Sequence, residues 1–106
     1  MLNEKEFIPA NIKDIIDQDL IAYMPRYYEN RSNDLSKLRQ FVEAKNTDDI
    51  LAMTHKILGT AKTYGLNELD YAIEKLESFT KESKMEEAEF CLNWAEKYLK
   101  RKLANI

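Results

Sequence analysis

The sequence predicts an all-α fold, an antiparallel four-helix bundle (up-down-up-down) with a short additional N-terminal helix. Three observations predict it. Only two glycines and two prolines, Gly59, Gly65, Pro9 and Pro25, interrupt 106 residues, too few breakers for a sheet with many turns. Apolar residues recur every three or four positions in four long stretches, the spacing of helices that bury one face. The connections between those stretches are short, and short connections place consecutive helices antiparallel.

In chain order, Ile12, Ile15, Ile16, Leu20 and Ile21 suggest the short extra helix. Pro25 ends it or starts the next, because proline suits a first turn and breaks an interior. Met24, Tyr28, Arg31, Leu35, Leu38 and Val42 form the first long stripe, widened by Tyr27 and Phe41, with Arg31 its one polar interruption. Ile50, Met53, Thr54, Ile57, Ala61 and Tyr64 form the second, and Leu66, Leu69, Ile73, Leu76 and Phe79 the third. The fourth runs through Met85, Ala88, Leu92, Ala95, Leu99 and Leu103. Asn46 and Thr47 ahead of Asp48 and Asp49 supply a cap and first-turn charge for the second helix. Gly65 suits the left-handed residue past that helix's end. Ser83 with Glu86 reads as a capping box for the fourth.

Length and composition fit one domain, residues 1–106, with 44% apolar and 33% charged residues. A single cysteine, Cys91, excludes an internal disulfide and fits a reducing compartment. It neighbours the fourth stripe and reads as a small buried hydrophobe, while the six tyrosines and Trp94 sit mostly at stripe positions or their edges. The first ten residues lack a secretory pattern and no apolar run is long enough to span a bilayer, so a cytoplasmic location is expected. Met1 favours a free-standing chain. The net charge of −3 argues against a nucleic-acid partner. Lys97, Lys100, Arg101 and Lys102 read as a basic last turn that complements the helix dipole. One histidine and one cysteine make no metal-ligand set, and no phosphate-cradling glycine loop or dinucleotide fingerprint is present. Nothing therefore points to ATP binding or to kinase activity of the chain's own, and no serine or cysteine nucleophile with an orienting partner accompanies the histidine.

That histidine, His55, is where chemistry can sit. On a wheel of about 100° per residue with His55 at zero, Ile50, Thr54, Ile57, Ala61 and Tyr64 fall between roughly 180° and 260°, the buried side. Gly59 falls near about 40°, Lys62 near about −20°, Leu51 near about −40° and Leu58 near about −60°. His55 thus points away from the core with Gly59 one turn further along its face. A glycine inside a helix costs about 1 kcal/mol relative to alanine. Its presence either gives a bulky reactant room beside the imidazole or permits close helix packing.

The run Thr54-His55-Lys56-Ile57-Leu58-Gly59-Thr60-Ala61-Lys62-Thr63-Tyr64-Gly65, followed by Leu66, Leu69 and the pair Leu76-Glu77, resembles the signature of histidine-containing phosphotransfer (HPt) domains. That signature has a histidine four residues before a glycine, then a small residue, an aromatic-glycine pair, and a leucine-glutamate pair on the next helix. Upstream, Asp19-Leu20, Pro25 and Tyr28-Glu29-Asn30-Arg31 resemble the family's lead-in to its long second helix. The resemblance covers nearly the whole chain.

The resemblance implies a phosphorelay. A receiver-domain aspartate passes a phosphoryl group to His55, on its outward nitrogen Nε2, and His55 passes it to another receiver. Partners would be receiver domains of response regulators or hybrid histidine kinases. Magnesium and the acidic catalytic residues would come from the receiver, so this chain, acting as a monomer, needs no cofactor. HPt domains commonly carry a lysine three residues after the histidine, where this chain has Leu58. Lys62 could reach back and Lys56 could contribute from the flank to support the phosphoryl group; both also read as a solvated helix face. Leu51, Ala52 and Leu58 would form an apolar collar for a docking receiver, or Leu51 and Leu58 would pack beneath the N-terminal helix. The alternative function is a helical adaptor that binds receivers without carrying phosphate.

Overall fold

Each apolar stripe becomes one helix, except that Tyr64 lies in the turn past the second and Leu66 is the cap before the third. The computed structural model describes residues 2–105, and among them are α1 (Met24–Glu43), α2 (Thr47–Ala61), α3 (Asn67–Lys81) and α4 (Met85–Ala104), with no strand. The helices form a ring of contacts: α1 packs on α2, α2 on α3, α3 on α4, and α4 back on α1. Their buried faces form one hydrophobic cluster in which Leu38, Ile50, Ile57, Leu69, Ile73, Leu76 and Leu92 are fully enclosed. Cys91 lies in it as well, and so do Tyr27, Tyr28, Trp94 and Tyr98, while Tyr23 stands out in solvent. No helix among the described residues is long and apolar enough to cross a membrane.

The three links between helices share one construction. A single residue takes the left-handed conformation, Lys45 at φ 54°, Gly65 at φ 78° and Ser83 at φ 60°. The amide of the next residue then bonds back into the helix just ended: Asn46 N to Phe41 O at 2.9 Å, Leu66 N to Ala61 O at 2.9 Å, and Lys84 N to Phe79 O at 2.8 Å. This is the Schellman arrangement, which satisfies carbonyls that a helix end leaves free. Asn46, Leu66 and Lys84 are also the N-caps of α2, α3 and α4. One residue therefore closes one helix and opens the next.

The structure corrects two sequence expectations here. Ser83 is not the cap of α4, because it is spent as the left-handed corner after α3; Lys84 takes the cap position without a side-chain bond, and Glu86 and Glu87 act only through first-turn charge. The short N-terminal helix is also largely absent. Ile12, Ile15 and Ile16 lie outside any helix, and only Leu20 and Ile21 fall within a 3-10 helix, Gln18–Tyr23. The backbone that a helix would need is engaged elsewhere. Ile15 N donates to Gly65 O at 2.9 Å, and Lys13 O accepts from Asn67 Nδ2 at 2.9 Å. Helix α1 begins where Pro25 allows, with the proline in its first turn. Of the four basic residues expected in the last turn of α4, Arg101 and Lys102 lie there, whereas Lys97 and Lys100 fall earlier, Lys97 paired with Glu4 at 3.0 Å.

Residues 2–17 form a strap over α3 and α4. Phe7 inserts among Tyr71, Phe90 and Trp94, with ring centroids 5.5, 5.4 and 5.6 Å away. Helix α3 has no side-chain cap of its own, and Asp14 of the strap supplies one, its Oδ1 accepting from Glu68 N at 2.9 Å. The other Asp14 oxygen accepts from the Tyr98 hydroxyl and lies 3.3 Å from Lys102 Nζ. Gly65 is required where the strap crosses: a Cβ there would stand 1.8 Å from the Ile15 carbonyl oxygen.

Gly65→Ala therefore places a side chain both at positive φ and against backbone. It is expected to lower stability by at least about 2 kcal/mol in urea unfolding; an unchanged midpoint would mean the strap does not seat there. Alkaline pH is a second test. Burial, then its bond to Asp14, pushes the Tyr98 phenol well above its ordinary 10.0. Burial raises Cys91 from 9.0 to about 12 and also lifts Tyr27 and Tyr28. The unfolded chain loses these protons first, so the stability they confer is complete below the unfolded values and is lost as pH rises. The urea midpoint should fall steadily from about pH 9 upward, each group still protonated in the fold contributing up to about 1.4 kcal/mol per pH unit. A flat profile to about pH 11 would contradict this.

Candidate functional site

His55 sits in the middle of α2 with its side chain exposed. The opposite face of the helix, Ile50, Thr54, Ile57 and Ala61, is fully buried. The helix is set by Asn46, whose Oδ1 accepts from Asp49 N while its Nδ2 donates to Asp49 Oδ2 at 2.7 Å. Among the described residues the exposed His55 side chain joins no hydrogen bond or ion pair.

Gly59 is likewise exposed, and a Cβ built on it meets nothing within 4 Å. Close helix packing is thus not its reason, and what it leaves is open space on the His55 face. Along that face Ala52 is exposed, whereas Leu51 and Leu58 are half-buried, Leu58 resting on the core cluster. Lys62 is exposed at the C-terminal cap of α2 and acts on Asp70 of α3, whose carboxyl is raised by burial and partly drawn back by the Lys62 charge.

Lys56 does not stand free. Its ammonium lies 3.1 Å from Oδ1 of Asp34 on α1, a carboxylate only 6% exposed. The other Asp34 oxygen lies 3.1 Å from Arg31 Nη2 as an ion pair whose angle makes no hydrogen bond. Arg31 Nη1 donates to Thr60 Oγ1 at 2.8 Å, and Tyr27 shares a 2.9 Å bond with the same oxygen. Thr60 donates to Ile57 O at 3.4 Å. A hydroxyl has one donor and two lone pairs, so Thr60 is saturated and Tyr27 is the donor of their pair. Arg31 also lies over the Tyr27 ring, 4.8 Å from its centroid, and Tyr27 packs on Tyr64 at 4.2 Å. Burial raises the Tyr27 phenol, the Thr60 bond and Arg31 offsetting part of the rise. On the other side of α2, Thr54 Oγ1 donates to Leu51 O at 3.0 Å and lies 3.4 Å from Glu77 Oε2 of α3.

His55, Lys56 and Gly59 therefore share one surface, with Leu51, Ala52 and Leu58 along the same helix and Lys62 at its end. Sequence reading missed Asp34, Thr60 and Tyr27 as members of this neighbourhood. The signal was Arg31, a charge in an otherwise apolar stripe, which had to find a buried partner on the facing helix. Comparison of the chain with family models, with curated proteins and with solved structures returns no match.

Since the Gly59 position is open, Gly59→Ala should raise stability by up to about 1 kcal/mol through helix propensity alone. Thermal or urea unfolding checks this, and a loss would show that something packs against the glycine after all.

Proposed function

We propose that this chain is a histidine phosphotransfer protein of the HPt kind, working in a cytoplasmic phosphorelay. The observation that carries the reading is the exposed His55 beside the open space at Gly59. The chain's one histidine stands mid-helix, and the residue that would crowd it has no side chain. The proposed architecture is the antiparallel up-down-up-down bundle. It is supported by opposed residues along α1 and α2, where Tyr27 meets Thr60 while Asp34, two turns later, meets Lys56, nearer the start of α2.

In the proposed reaction the lone pair of neutral Nε2 attacks the phosphorus of a receiver's aspartyl phosphate. The P–N bond forms as the P–O bond to the aspartate breaks, the carboxylate leaves with that electron pair, and the imidazole proton stays on Nδ1. Attack by a second receiver's carboxylate reverses these changes and frees His55. Covalent relay of this kind splits one transfer into two. It asks for in-line access and charge neutralisation rather than acid-base machinery. Access is what the Gly59 face offers. Magnesium belongs to the receiver, and the apolar flank of Leu51, Ala52 and Leu58 is the proposed docking collar.

Incubation with a phosphorylated receiver should label the chain with an acid-labile, alkali-stable phosphoryl group that is lost in His55→Gln. Lys62→Ala should slow transfer while leaving the fold intact. Binding of receivers without label, across several of them, would favour the adaptor reading; label that survives His55→Gln would move the site.

A further inference from the structure

The Asp34 carboxylate carries two cations of different standing. Arg31 is 11% exposed and is held in place by Thr60, so it neutralises Asp34 from within the fold. Lys56 approaches from outside, with its side chain 58% exposed. Releasing Lys56 gives up the one hydrogen bond that Asp34 accepts, but the ion pair with Arg31 still neutralises the carboxylate. Lys56 is thus the exposed partner of Asp34, the one of the two cations free to swing, and it is also the residue directly after His55.

The open space at Gly59 lies between the directions of His55 and Lys56 on the helix. A phosphoryl group there would carry nearly two negative charges near neutral pH. It would have Lys56 on one flank, and the Gly59 position beside it is open, with no atom within 4 Å of where a Cβ would stand. We infer that Lys56 is a two-position cation, held by Asp34 while His55 is free and turned to the phosphoryl oxygens when His55 is charged. Asp34 is then a positioning residue that sets how available Lys56 is. This rests on the phosphotransfer reading. It adds to that reading a source for the cation missing at Leu58, and a route by which the state of His55 reaches α1.

The test loads His55 with phosphoramidate, which needs no receiver: the P–N bond to Nε2 forms as the donor's own P–N bond breaks and ammonia leaves. The phosphoryl group is then titrated by phosphorus NMR in the intact chain between about pH 6 and about pH 9. A neighbouring ammonium favours the dianion, so Lys56→Ala should raise the proton affinity of the group by about fivefold. Asp34→Asn should lower it below wild type, because Lys56 is no longer shared, and Lys56→Arg should restore the wild-type profile. In wild type, the Asp34 carboxyl carbon and the Lys56 ammonium signals should both shift on loading, and neither should shift in treated His55→Gln. That pair of signals decides the matter even if Asp34→Asn does not fold. Identical phosphorus titrations in wild type and Lys56→Ala, with an unmoved Asp34 signal, overturn the inference and leave the relay standing. Failure of both phosphoramidate and receivers to label His55 overturns the relay, and the inference with it.

Discussion

The chain must leave each helix and start the next within a few residues, and it does so with one left-handed residue per link. At Lys45, Gly65 and Ser83 the following amide is committed to the old helix while its own carbonyl starts the new one, as in Ile50 N to Asn46 O at 3.0 Å. Such a corner has no slack. Lengthening it by one residue would rotate the next helix by about 100° and carry its apolar stripe off the core. The direction in which His55 points is therefore fixed well away from His55 itself, by the corner at Lys45 and by the burial of Ile50, Thr54, Ile57 and Ala61 on the opposite side. At Gly65 the same corner carries an added duty, since the strap passes so close that no side chain fits.

The seam between α1 and α2 is the part of the fold that hydrophobic burial does not explain. An arginine and an aspartate in a helix interface cost stability unless they are paired. Here they are paired with each other, and Arg31 is tied to Thr60, with Tyr27 completing the hydroxyl's bonds. Apolar residues at these positions would serve packing as well or better. The polar seam has a consequence that an apolar one would lack. It brings fixed positive charge and a saturated hydroxyl to the flank of α2 that faces away from Leu51 and Leu58, so His55 stands between an apolar side and a cationic side.

These features were unequally legible in the sequence. The four stripes mark the four helices because a period near 3.6 survives any detail of packing. The exposure of His55 and the turn at Gly65 follow from the same wheel and from glycine's freedom at positive φ. Ser83 misled because serine followed by glutamate three residues later is a good local cap signal, while its role as a corner depends on where α3 stops. The isoleucines before Pro25 misled for a related reason. Their spacing suits a helix, yet their backbone is claimed by Gly65 and Asn67, which lie some fifty residues on. Asp34 was invisible for the opposite cause. An aspartate in a helix reads as surface, and only the partner supplied by Arg31 and Lys56 makes its burial affordable in free energy.

Leu58 takes a different meaning in this setting. In HPt-like sequences a cation three residues after the histidine sits on its own helix face, whereas here that position is half-buried and rests on the core. A lysine there would have to trade apolar contact for charge, and part of its stem would be committed to packing. Lys56 meets no such conflict, because its side chain runs outward along the α1 seam to a carboxylate that Arg31 already balances. Under the proposed function, the charge that the phosphoryl group needs arrives from the opposite flank, which leaves Leu51 and Leu58 free to present a dry edge to a partner. Under that proposal both consequences come from one arrangement, an apolar residue at position 58 with a shared lysine at position 56. They tie the electrostatics of the histidine to Asp34 on the neighbouring helix.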